Sequence, residues 1–263
     1  MRKETLMFGS VHILYMIISA VISAALLVFL SKTVKDTVIK ERVLKLFAVL
    51  TVIIHYSSLW VDYFKSGSAT VQSPMLLPIH PCNVCMWLLL ISAFVKKREG
   101  TLYRLLTEFT FWAGTVCGTI GIVLNENFGN NPTLADYEVL KGMLSHSTML
   151  FGAIYLLIGG FVKIRVFNVL SVVSGLLLFV ADGVFINALY LIFLDEKCNS
   201  MYLQEPPFPD MPWLNTLVMG LLGVLVAFAV SALYEQIALP KEERWYSLLK
   251  KKYCERKDER SVC

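Results

Sequence analysis

Residues 166–194 read VFNVLSVVSGLLLFVADGVFINALYLIFL, an apolar run whose one charged side chain is Asp182. A helix needs about 20 predominantly apolar residues to cross ~30 Å of hydrocarbon, and this run exceeds that length. Moving outward with the same test finds further stretches at 9–30, 43–64, 80–95, 104–124, 143–162 and 213–234. The connections between them, such as 31–42, 96–104 and 163–165, are too short to fold alone. The whole chain of 263 residues is 56% hydrophobic and 17% charged, with a mean hydropathy of +0.63, which sets it apart from soluble domains. These observations predict an all-α fold, a polytopic membrane helical bundle of about seven transmembrane helices. Residues 1–240 form the single bundle and 241–263 a basic cytoplasmic tail. The stretch 80–95 is the shortest and could also be re-entrant.

Basic connections stay on the cytoplasmic side. If seven helices alternate, 19 of the 24 Lys and Arg residues fall at one end, and Arg2, Lys3, Lys65, Lys141 and Lys197 at the other. The N-terminus is therefore expected outside and the C-terminus in the cytoplasm, at the plasma membrane for a bacterial chain. The tail joins Trp245, Tyr246 and Leu248 to eight basic residues, a composition suited to an anionic leaflet. The basic residues follow topology without aromatic interleaving, so no nucleic acid is expected, and no protein partner is indicated.

Ionisable side chains at membrane depth are costly and generally face a bundle interior or a wet cavity. Counting ~1.5 Å per residue, His55 lies near the midplane of the second stretch, and Asp182 and Asn187 lie past the midpoint of the sixth. His80, Cys82, Glu126 and His146 fall toward the outer ends of other stretches. One shared cavity toward the outer face accounts for all of them.

The most reactive element is the run Leu77 to Cys85, LPIHPCNVC. Pro81 suits the first turn of a helix, where its missing N–H costs nothing. Cys82 then sits among unpaired backbone donors, which favour a thiolate and can hold an oxyanion. His146 could serve as the base that takes the thiol proton.

LPIHPC opening one helix, Ser145-His146 on another, the run Asn187 to Tyr190 and then Met211-Pro212-Trp213 resemble the YwaF family of integral membrane proteins. That family is related to transmembrane protein 164. The resemblance implies six or seven helices and, from the eukaryotic relatives, acyl transfer between phospholipids, with Cys82 as nucleophile and His146 as base. The family motif more often reads His-Leu-Cys than His80-Pro81-Cys82, and Cys85 is an additional thiol. The implied activity is a lipid acyltransferase or hydrolase on phospholipid acyl chains, needing no cofactor, with His55, His80, Glu126, Asp182, Asn187 and Tyr190 as the supporting polar set.

Two other classes fit the same residues. His80, Cys82, Cys85 and His146 form an alternative metal-ligand set, and Cys82-Asn-Val-Cys85 a thiol-redox spacing. Asp182, His55 and Glu126 could instead line the path of a proton-coupled transporter of small solutes.

Overall fold

The computed structural model describes residues 8–67, 77–125, 133–208 and 211–261. Among them are eight α-helices and no strands. They are α1 (Ser10–Thr33), α2 (Thr37–Ser66), α3 (Pro81–Phe94), α4 (Thr101–Val123), α5 (Tyr137–Ile158), α6 (Val169–Leu194), α7 (Thr216–Ala238) and α8 (Trp245–Ser261). Three starts are set by side-chain caps: Asp36 accepts from the Ile39 N–H, Asp136 from Glu138 and Val139, and Asn215 from Val218. The Asp136 cap explains why α5 begins at Tyr137, ahead of the apolar run at 143–162.

Five helices, α1, α2, α4, α6 and α7, are long and apolar enough to cross a membrane by length and composition. The other two stretches of the sequence are α3, an apolar helix of 14 residues, and α5, which carries Ser145, His146, Ser147 and Thr148 in its middle. Contacts between connections show that the helices alternate. At one end, Arg98 after α3 pairs with Glu41 at the start of α2 and lies over Phe161 after α5, while Arg165 reaches Glu243 before α8. At the other end, the His12 Nε2 lies 2.8 Å from the carbonyl of Ile122, Ser57 meets Tyr137, and Ser200 Oγ donates to the carbonyl of Ile79. The basic connections thus share one end of a polytopic bundle.

The core lies between α2, α3, α4 and α5, with α6 against α4. A Cβ added at Gly114 would lie 2.9 Å from Ala153 Cβ, and one at Gly118 within 3.0 Å of the Leu150 backbone, so α4 and α5 approach closely along that face. Gly159 ends α5, and Gly160 turns the chain with φ +84°. The outer helices bury little: α1 only His12 and Leu27, α7 only Ala227, Ser231 and Glu235. Their remaining side chains, such as Ile17 and Leu217, point outward into what must be hydrocarbon.

The length of α3 has a structural cause. At ~1.5 Å per residue it spans about 21 Å, short of the ~30 Å core. Its lead-in from Leu77 to His80 descends into the bundle, where the Ile79 carbonyl accepts from Met201 N–H at 2.9 Å and from Ser200 Oγ at 3.1 Å. The helix therefore starts below the ends of its neighbours, and its first turn is delivered to the interior.

Candidate active site

His80 is the N-cap of α3, with extended backbone and no side-chain cap bond, and Pro81 occupies the first turn. Cys82 follows at the second helical position, where a backbone N–H has no partner within the helix. The Cys82 thiol and the His146 imidazole border the same cavity, close enough to interact electrostatically. The thiol also lies 3.9 Å from the carbonyl oxygen of Cys117. On its far side, the His146 ring is fixed by Nδ1, which lies 2.7 Å from the Gly142 carbonyl oxygen one turn earlier in α5. A carbonyl only accepts, so Nδ1 carries the proton and Nε2 is left as the ring's acceptor. Orientation and tautomer of the imidazole are thus set by the backbone of its own helix.

The pair borders a cavity of ≈ 40 Å³ lined by Thr51 and His55 of α2, Cys82, Asn83 and Met86 of α3, and Ser145, His146 and Met149 of α5. That is room for about one water molecule. Asn83 Nδ2 lies 3.5 Å from His55 Nε2, joining the second histidine to the first turn of α3. Thr51 Oγ1 donates to Thr148 Oγ1 at 3.1 Å, tying α2 to α5 at the edge of the cavity. Gly121 of α4 completes the arrangement from behind, because only a hydrogen fits between its backbone and the His146 ring.

The sequence-derived polar set divides here. Cys82, His146 and His55 converge. His80 is exposed, its ring 5.7 Å from that of Tyr202 in the α6–α7 connection. Asn187 clamps that same connection: its Oδ1 accepts from Ser200 N–H at 2.8 Å, and its Nδ2 donates to the Ser200 carbonyl at 3.5 Å. Tyr190 packs with Ile79, Ile186 and Cys198 in a separate apolar cluster. Asp182 is half-buried on α6, away from the residues that line the cavity. Glu126 lies outside the described residues.

Asn83, Thr51, Met86 and Met149 border the cavity without having been singled out from sequence. Two of them carried a readable signal. Thr51 is one helical turn before His55 on the same face, and Asn83 follows Cys82 directly. His12 is fully buried and serves the fold by bonding the end of α4.

Cys85 is buried and contacts Cys117, which also contacts Cys82. Cys82, Cys85, Cys117, Cys198 and Cys254 are all free thiols. Among the described residues, no three His, Cys, Asp or Glu side chains are grouped as a metal site would require. The alternative ligand set fails to assemble because His80 points to Tyr202.

No curated protein and no solved structure matches the chain. The profile of the TMEM164 family matches residues 7–234, from the N-terminal edge of α1 to near the end of α7 and across every residue of the cavity. This integral membrane protein belongs to the TMEM164 family.

Proposed function

We propose that the protein is a cysteine-dependent acyltransferase or hydrolase of membrane phospholipids, with Cys82 as nucleophile and His146 as general base and acid. The observation that carries this reading is that the two side chains meet on one cavity inside the bundle, with Cys82 in the first turn of its helix. His146 Nε2 takes the thiol proton as the sulfur attacks the ester carbonyl. A C–S bond forms, and the carbonyl pair moves onto oxygen. That oxyanion lies near the backbone N–H of Cys82 in the first turn of α3, with the Asn83 side-chain amide beside it. Collapse breaks the ester C–O bond, and the leaving alcohol takes the proton back from His146. The resulting thioester is then opened by a second alcohol for transfer, or by water for hydrolysis. In that step His146 removes the incoming proton and returns it to the departing sulfur.

Placing Cys82 on the outer side, with the basic end in the cytoplasm, gives an outer-leaflet lipid the shorter route to the thiol. The test is acyl-thioester formation at Cys82 on the purified chain, followed by mass spectrometry with an activated acyl probe. Cys82→Ser should abolish the adduct, and His146→Gln should slow its formation by about 10²–10⁴-fold. An undiminished rate in His146→Gln, or an adduct on another cysteine in Cys82→Ser, would overturn the assignment.

A further inference from the structure

The basic end of the bundle holds a second cavity, of ≈ 560 Å³, lined by Glu41 and Lys45 of α2, Phe94 of α3 and the connection from Val95 to Glu99. It lies about 18 Å along α3 from Cys82 and takes no part in the chemistry above. Arg98 is fixed at its edge. The guanidinium pairs with Glu41 at 2.5 Å, donates to the Ala93 carbonyl at 3.2 Å and lies 5.5 Å from the centre of the Phe161 ring. That pairing neutralises Glu41 and leaves Lys45, Lys96 and Lys97 against the single carboxylate of Glu99 in the charge balance of the cleft's lining. None of these three lysines forms an ion pair among the described residues.

Lys45 is the informative member. It stands more than two turns inside α2, with its ammonium 5.5 Å from the centre of the Phe94 ring. A lysine there extends its stem along apolar surface and lifts its charge to the level of the headgroups. The bundle gives that charge an aromatic face, and the nearby Glu41 carboxylate pairs with Arg98 instead. Lys96 and Lys97 are exposed on the rim of the same cavity. Its volume lies within the range of about 300–1,000 Å³ typical of small-ligand sites. We infer that this cleft binds a phosphate group, carried by the headgroup of an anionic lipid or by a soluble phosphate ester, with Lys45 and Lys97 as its cations and Phe94 as its apolar wall.

The experiment uses the full chain in detergent, incubated with equal amounts of phosphatidylglycerol and phosphatidylcholine of identical acyl chains, with retained lipid read by native mass spectrometry. Glycerol 3-phosphate is the soluble probe. Preferential retention of phosphatidylglycerol is expected, weakened about fivefold by Lys45→Gln and again by Lys97→Gln, and preserved in Lys45→Arg. Lys163→Gln, on the α5–α6 connection at the same end but outside the cleft, should leave retention unchanged. Displacement by equimolar glycerol 3-phosphate supports a soluble ester as the ligand, and resistance to it supports the lipid. Equal retention of the two lipids with no binding of glycerol 3-phosphate, or the same loss in Lys163→Gln as in Lys45→Gln, overturns the inference.

Discussion

The His146 ring occupies the space that a methyl group on Gly121 would need: a Cβ built there would overlap the ring at Cδ2, Nε2 and Cγ. Gly121→Ala therefore pushes the imidazole away from the Cys82 thiol. Alanine raises intrinsic helix propensity in α4 by about 1 kcal/mol, so a loss of function there does not come from a weaker helix. Acylation of Cys82 in this variant should fall about 10²-fold, the cost of displacing a catalytic group by an ångström, with the chain still folded. Gly118→Ala is the control, since its Cβ would press on the Leu150 backbone and part α4 from α5. It should cost about 1–3 kcal/mol of stability. Equal acylation rates in Gly121→Ala and the parent would show that the base is not held by this contact.

Asn187 acts on the thiol only through other residues. It holds Ser200, and Ser200 and Met201 in turn hold the Ile79 carbonyl, two residues before the proline that opens α3. Asn187→Leu leaves the Ser200 N–H without an acceptor, at a cost of about 1–3 kcal/mol, and loosens the lead-in. The expected results are a lower melting temperature, faster proteolysis of the α6–α7 connection and slower acylation of Cys82. Asn187→Asp keeps the acceptor and should recover most of the stability. Unchanged proteolysis in Asn187→Leu would show that the connection is anchored elsewhere.

The helical bundle was legible because hydrocarbon imposes a length on each apolar run, and that length survives in the sequence without help from neighbours. The convergence of Cys82 with His146 and His55 also followed from one-dimensional reasoning about depth. Direction did not. His80 precedes Cys82 by two residues, yet its extended backbone as N-cap sends the ring to Tyr202. Asn187 and Tyr190 share a helix with Asp182, but which neighbour that helix meets depends on contacts such as the one between Ile79 and Ser200, 121 residues apart. Glycines were ambiguous for the same reason. Gly118, Gly121 and Gly160 look alike in sequence, whereas the structure uses one for helix approach, one to seat an imidazole and one to turn the chain.

Access to the thiol requires side chains to move. The cavity of ≈ 40 Å³ is too small for an acyl ester, and the two most flexible residues on its wall are Met86 and Met149, both buried. Methionine changes rotamer at little cost, which suits a wall that must yield. Met149→Ala should raise the rate of Cys82 modification by a long-chain acyl probe more than its rate with iodoacetamide, and Met149→Phe should do the reverse. The ratio of the two rates is the measurement, because it cancels any general change in thiol reactivity. A constant ratio across Met149→Ala, the parent and Met149→Phe would place the entry route elsewhere.

Glu235, near the end of α7, is the buried carboxylate that joins the basic-end connections to the tail. Its Oε1 accepts from the Val166 N–H at 2.8 Å, and its Oε2 from the Trp245 N–H at 2.6 Å. These are the first turns of the segment leading into α6 and of α8, where backbone donors lack helical partners and the helix dipole favours a negative charge. Phe228 packs edge-on against Trp245, and Arg244 donates to the Leu239 carbonyl and to Gln236, so the start of α8 is held at several points. Glu235→Ala leaves two donors without their acceptor, at about 1–3 kcal/mol each. Faster amide hydrogen exchange is expected at both Val166 and Trp245, since one carboxylate serves both. Glu235→Gln retains an oxygen acceptor for only one of them, so one of the two amides should stay protected while the other opens. Protection of both amides in Glu235→Ala would mean that the Phe228 and Arg244 contacts suffice to hold the tail.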